Sequence, residues 1–194
     1  MIKSELRKIY LAKQRSLSPE ARLEKSRQIS DRFFQNFDLA GIKILHCFIS
    51  IEKFTEIDTG VIFQRLWREF PAITTVVPRV DLKTGDMQNL KFTPDTELVK
   101  NIWDIHEPAH DECVATADID MVIVPLLCFD RSGQRVGYGK GFYDRFLRNC
   151  REDCVKAGLS YFGPVDEISD AGELDIKLDH CFTPDGVRSQ NRER

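Results

Sequence analysis

Along residues 3 to 15 the apolar positions fall at Leu6, Ile9 and Tyr10 and continue at Ala12 or Lys13, a spacing that predicts an amphipathic helix. A second helix follows at once. Ser18 is a hydroxyl N-cap before a proline at the first helical position, and EARLEKSRQISDRFFQNF runs on until Gly41 ends it. From Ile42 the pattern changes to IKILHCFIS, a compact run of β-forming residues that predicts a buried strand. Helical spacing returns between Asp58 or Thr59 and about Phe70, with Ile62, Phe63, Leu66, Trp67 and Phe70 on one side. TTVVPRV and the LKF near residue 90 read as two further strands. In DIDMVIVPLLCFD the alternation disappears, as it does in a central parallel strand covered on both faces. Tyr143, Phe146, Leu147 and Cys150 then mark a helix, VKAGLSYF and HCFTP two short strands, and VRSQNRER a tail polar enough to fray.

Strands alternating with helices predict an α/β protein: an open, mostly parallel sheet with helices on both faces and an N-terminal helical segment, in one domain spanning residues 1–194. Ligands in such sheets sit beyond the carboxyl ends of the strands. Composition narrows the partners. A formal net charge of -3 and a pI near 5.9 argue against a nucleic-acid binder. No apolar run reaches membrane-spanning length, and MIKSELRKIY carries charge where a signal peptide would be apolar, so the expectation is a cytoplasmic chain without a membrane partner. Six cysteines with no C-x-x-C pair read as reduced thiols, mostly buried.

The candidate chemistry centres on RSGQRVGYGKGFYDR, residues 131–145. A glycine-rich turn opening into a helix offers backbone N–H groups to an anion, and Lys140 adds a mobile cation; the alternative is a flexible turn with a solvated lysine. The stretch is not a Walker loop, which would need glycine at Gln134 and a hydroxyl at Gly141. Nor is it the dinucleotide fingerprint, whose third glycine would fall at Phe142 rather than Gly141. Asp144 is a natural magnesium ligand beside phosphates, or simply a favourable charge at a helix start. Lys3 and Arg7, four apart, share one helix face and either reach a phosphate or stay solvated. Glu56 in TEIDTG either binds a ligand or caps the next helix. HEPAH at 106–110 formally matches the zinc-protease signature, but Pro108 inside the required helix would cost about 3 kcal/mol or more, so a loop without zinc is expected there.

Taken together these motifs resemble the 5-formyltetrahydrofolate cyclo-ligase (methenyltetrahydrofolate synthetase) family across nearly the whole chain. The matching positions are K-x-x-x-R at Lys3 and Arg7, E-I-x-T from Glu56, V-P at Pro78 and E-P at Glu107 and Pro108. They continue with D-x-V-I-V-P-x-x-x-F-D from Asp120 and R-x-G-x-G-K-G-x-Y-D from Arg135. Two positions depart from the family pattern: Pro164 where glutamine is usual, and Leu174 where a histidine usually precedes the aspartate.

The resemblance implies a three-layer α/β/α sandwich and an ATP- and magnesium-dependent ligase. It would convert 5-formyltetrahydrofolate, with or without a polyglutamate tail, to 5,10-methenyltetrahydrofolate. Lys3, Arg7, Arg135, Val136, Gly137, Tyr138, Gly139, Lys140, Gly141, Phe142 and Tyr143 would hold ATP, with Lys140 and Arg135 catalytic. Ile51, Glu56, Tyr138, Gly139, Lys140, Gly141 and Phe142 would line the folate site, and Asp144 and Asp179 would bind magnesium. The implied assembly is a monomer. Two rivals stand beside it: a regulator that only binds a phosphorylated ligand or a partner protein, and a phosphosugar or coenzyme A-type isomerase on a similar fold.

Overall fold

A computed structural model describes residues 1–81, 83–102 and 105–190. The chain opens with α1 (Lys3–Arg15) and α2 (Pro19–Asn36), the second started by Ser18, whose Oγ accepts a hydrogen bond from the Ala21 N–H at 3.2 Å. Then come β1 (Ile44–Cys47), α3 (Gly60–Glu69), β2 (Thr74–Val80), β3 (Met87–Lys91), the hairpin of β4 (Leu98–Lys100) with β5 (His106–Pro108), and β6 (Cys113–Val114). Next are β7 (Met121–Pro125), a second hairpin of β8 (Cys128–Phe129) with β9 (Arg135–Val136), and α4 (Phe142–Arg148). β10 (Val155–Leu159), β11 (His180–Thr183) and β12 (Gly186–Ser189) complete the order.

Eight of these strands form one sheet in the order β12-β11-β10-β7-β1-β2-β3-β6. The five strands from β11 to β2 are parallel, and β12 and β3 flank them antiparallel. Leu45 pairs with Thr75 on one side and Met121 on the other, which makes β1 and β7 adjacent central strands. One face packs Leu45, Cys47, Met121 and Ile123 against Ile29 and Phe33 of α2 and Ile62 and Leu66 of α3. The opposite face packs Val122 and Val124 against Phe146 and Leu147 of α4. This is the three-layer arrangement, and it explains the lost alternation: successive residues from Met121 to Val124 all lie in a core. α1 stands apart from both layers, its Leu6 and Tyr10 buried with Leu127, Cys128, Val136 and Ile168 around the β8–β9 hairpin.

Several boundaries differ from the sequence reading. α2 stops at Asn36 rather than Gly41, because Phe37 turns extended and stacks with Phe33. On α1 the buried stripe is Leu6, Tyr10 and Gln14, while Ile9 faces solvent. The long apolar run divides in two. After Pro125 the chain leaves the sheet, and Asp130 Oδ1 accepts bonds from the Ser132 and Gln134 N–H groups, closing the turn that folds β9 onto β8. Residues 106–108 are a hairpin strand rather than a loop; with this stretch extended, His106 and His110 do not share a helix face. Residues 187–189, expected to fray with the rest of the tail, pair with β11 as part of the edge strand β12; the last four residues lie outside those described. Among the described residues no helix is long and apolar enough to cross a membrane.

The connection from β1 leads through α3 to β2 on one side, and that from β7 leads through α4 to β10 on the other. The carboxyl ends of β1 and β7 therefore flank a topological switch point, where open α/β sheets bind ligands.

Candidate active site

After β1 the chain makes a one-turn 3-10 helix over Glu52–Phe54 and then reverses at Thr55, which adopts φ 55°, so that Glu56 folds back on the turn. Its Oε2 accepts a hydrogen bond from the Ile51 N–H at 2.8 Å, and its carbonyl accepts one from the Tyr161 hydroxyl at 2.9 Å. Ser50 and Thr59 brace the turn from behind: Ser50 Oγ accepts from the Thr59 N–H at 2.7 Å, and Thr59 Oγ1 donates to the Phe48 carbonyl at 2.7 Å. Gln14 of α1, almost fully buried, ties this turn to the glycine-rich loop by donating to the Phe54 carbonyl at 2.8 Å and to the Tyr138 hydroxyl at 3.0 Å. The Phe54 and Tyr138 rings lie 5.7 Å apart. Burial pushes the Glu56 carboxyl up to about 7, against the lowering effect of the Ile51 N–H and the Tyr138 hydroxyl. Burial likewise raises the Tyr138 phenol. Ile51 also borders a cavity of about 410 Å³ shared with Ser50, Lys53, Lys100 and His106.

The other half of the site is cationic. Arg7 Nε donates to the Gly137 carbonyl at 3.0 Å, while Lys3, one turn earlier on α1, pairs its ammonium with Asp175. Of the two, Arg7 reaches the loop itself and Lys3 reaches the segment that carries Asp175. Gly139 and Gly141 hold φ of 92° and 66°, which side chains rarely adopt, whereas Gly137 does not. Arg135 is almost completely buried and donates from Nη2 to Asp144 Oδ1 at 2.7 Å and from Nη1 to the Ile176 carbonyl. Burial lowers its pKa, and Asp144 and Asp175 act against that. Lys140 is exposed; its carbonyl accepts from Arg145 Nη1 at 3.3 Å, and the same guanidinium lies over the Phe142 ring. The Val136 side chain points into the core beside α1, so only its backbone faces the loop. The Tyr143 hydroxyl meets His46 at 3.2 Å.

The two carboxylates expected to hold magnesium are placed differently. Asp144 Oδ1 accepts from Arg135 and from the Ile176 N–H at 3.3 Å, within the cationic half. Asp179 precedes β11, and its Oδ2 accepts the Lys156 N–H at 2.7 Å near the start of β10. Asp175, which sequence reasoning passed over, pairs with Lys3 and also acts on Arg135. Among the described residues no cluster of three or more His, Cys, Asp or Glu side chains is placed to hold a metal ion. Asp144 and Asp175 are nonetheless hard oxygen donors beside a cationic loop, the donor set that suits magnesium sharing its shell with phosphate oxygens. Gln14 and Tyr161 were also missed. A glutamine in an amphipathic stripe carries no signal of its own, although its spacing four residues from Tyr10 could have marked it as inward-facing.

Comparison with known proteins identifies the family of the chain and its fold. Residues 1–184 match the profile of the 5-formyltetrahydrofolate cyclo-ligase family. The chain is 31% identical over 178 residues to the 5-formyltetrahydrofolate cyclo-ligase of Escherichia coli K12, covering 90% of this chain and 96% of that one. It is 28% identical over 186 residues to the mouse protein of the same name, covering 90% of each. Its fold superposes on the solution structure of Aquifex aeolicus 5,10-methenyltetrahydrofolate synthetase with a TM-score of 0.83 and 28% identity, over 100% of this chain and 95% of that one. With the motifs in order, the family profile matching residues 1–184 and the Escherichia coli relative 31% identical over 90% of this chain, the chain belongs to the 5-formyltetrahydrofolate cyclo-ligase family.

Proposed function

We propose that this protein converts 5-formyltetrahydrofolate to 5,10-methenyltetrahydrofolate, consuming ATP with magnesium and releasing ADP and phosphate. The observation that carries the reading is the joint made by Tyr138: one residue of the glycine-rich loop touches the buried Glu56 turn, while the rest of the loop runs beside Arg7, Arg135 and Lys140. A pterin ring and a triphosphate must meet at such a joint if the formyl group is to be activated. ATP supplies the phosphoryl group that turns the formyl oxygen, a poor leaving group, into one that departs as phosphate once the neighbouring nitrogen has closed the ring.

The protein's part is placement and charge. Glu56, as a carboxylate, accepts hydrogen bonds from the pterin's donor groups, with Ile51 beside it. The backbone of residues 137–141 lies against the phosphates, and Arg7, Lys3 and Lys140 offset their charge. Arg135 holds Asp144 in place and adds its own charge from below the loop. Asp144 is the proposed magnesium ligand. Asp175, which shares that arginine's field, is better placed as its partner than Asp179.

The test is absorbance. 5,10-Methenyltetrahydrofolate absorbs in the near ultraviolet where the formyl substrate does not. Purified protein with ATP, magnesium and 5-formyltetrahydrofolate is expected to develop that band, and to lose it when ATP is omitted. No band with all components present would overturn the reading.

A further inference from the structure

His46 sits on β1 with no exposed surface, on the sheet face that carries α4, and its ring has a polar partner at each nitrogen. Nδ1 is 2.9 Å from Asn89 Oδ1, and Nε2 is 3.2 Å from the Tyr143 hydroxyl. Phe146 lies tilted against the same ring, with 4.8 Å between centroids. Its strand neighbours Leu45 and Cys47 face the opposite core, where apolar packing suffices. A polar residue in this position costs desolvation unless both nitrogens are satisfied.

The direction of each hydrogen bond follows from the far end of the chain of contacts. The Asn89 amide nitrogen lies 3.3 Å from the Val114 carbonyl and 3.1 Å from Thr116 Oγ1. A backbone carbonyl only accepts, so the NH₂ group faces Val114 and the carbonyl oxygen of Asn89 faces the imidazole. Nδ1 of His46 must therefore carry the hydrogen. Burial holds the ring's pKa down at about 4, so near neutral pH it is uncharged and Nε2 is bare. Nε2 then accepts the Tyr143 O–H, leaving only that hydroxyl's lone pairs for anything else.

We propose that His46 is a positioning residue for the nucleotide-binding loop. By accepting the Tyr143 hydroxyl proton in a hydrogen bond it fixes the first turn of α4, and with it Asp144 and the end of the segment 137–141, in one arrangement. The proposal rests on the reading that this loop receives ATP. A histidine that merely fills the core would stabilise the fold without acting through one hydroxyl.

Two measurements decide it. Nitrogen-15 chemical shifts of the wild-type imidazole are expected to show the neutral Nδ1–H tautomer; an Nε2–H tautomer overturns the proposal. The second is a double-mutant cycle on ATP affinity, read by calorimetry and as KM. His46→Phe keeps the ring packing and removes the acceptor, and should weaken ATP binding about ten-fold with a smaller change in kcat, since a buried hydroxyl left without its acceptor is worth roughly that factor. His46→Gln, which retains an acceptor oxygen, should recover part of the loss and serves if the Phe variant does not fold. In a Tyr143→Phe background either substitution should change ATP affinity by less than about two-fold, because the coupled hydroxyl is already gone. Equal effects in both backgrounds, or unchanged ATP affinity in the single variants, overturn the proposal. A wild-type protein that binds no ATP overturns the functional reading instead, and is told apart because the tautomer is unaffected.

Discussion

The guanidinium of Arg7 stands where a side chain on residue 139 would begin. A Cβ built on Gly139 falls 3.2 Å from the Arg7 Cζ, and Gly139 itself holds φ 92°. Glycine at this position therefore serves the protein's own geometry. Gly137 is the contrasting case: it has ordinary backbone angles and open space where a methyl group would project, yet its carbonyl is what Arg7 grips.

That contrast separates two uses of glycine in one loop. Gly139→Ala should cost about 1–2 kcal/mol for the left-handed backbone, on top of displacing Arg7, so stability and ATP affinity fall together. Gly137→Ala should leave the melting temperature nearly unchanged. If the loop backbone lies against phosphate, that added methyl alone should lower ATP affinity. Full ATP affinity in the Gly137→Ala protein would mean that nothing approaches the backbone there.

Glu56 should make both stability and folate binding depend on pH. A carboxyl with a folded value near 7 and an ordinary value of 4.5 binds its proton more tightly in the native state. Native stability therefore falls as pH rises from 4.5 through about 7, and the loss is complete above that. Glu56→Gln should flatten this slope and raise the melting temperature at pH 8. Substrate donors prefer the ionised form, so KM for 5-formyltetrahydrofolate should fall through the same window in the wild type. In the Gln variant it should be higher and flat. A wild-type KM without pH dependence between 6 and 8, roughly the span set by such a shifted carboxyl, would refute the assigned role.

Asp144, the proposed magnesium ligand, is also the ion-pair partner of Arg135. Asp144→Asn leaves a nearly buried guanidinium without its charge partner, which should cost about 3 kcal/mol and raise the magnesium concentration needed for half-maximal rate. Asp175→Asn should also raise the magnesium requirement. Asp179→Asn should leave it unchanged, since that carboxylate is engaged by the Lys156 amide. A reversed order of the last two would return the second ligand to Asp179.

Lys140 is exposed and has no ion-pair partner among the described residues, so its removal should not disturb the fold. Lys140→Ala is expected to keep the wild-type melting temperature and lose about 10³-fold in kcat, the scale seen when one preorganised charge is removed from a transition state. Lys140→Arg should recover little, because a planar fork does not replace a compact ammonium. Near-normal turnover in the Ala variant would make the lysine a solvated loop residue.

Local sequence pattern determined the layers of this protein. The stripe of α3, the Ser18-Pro19 start of α2 and the unbroken apolar run at Met121 to Val124 each follow from burial of one or two faces, which is a local property of spacing. The loop motif from Arg135 to Asp144, being continuous in the chain, was equally legible. What only the tertiary structure decided were relations across long separations. Gln14 joins Phe54 to Tyr138, Lys3 and Arg135 converge on Asp175, and Pro125 lets β8 leave the sheet to pair with β9. His46, read in the sequence as one more strand residue, meets Asn89 and Tyr143 only because β3 lies on the far side of β2 from β1 and α4 packs across that face of the sheet. A hydrogen-bonding side chain carries no periodicity that names its partner, and the partner is fixed only when separate elements are packed together.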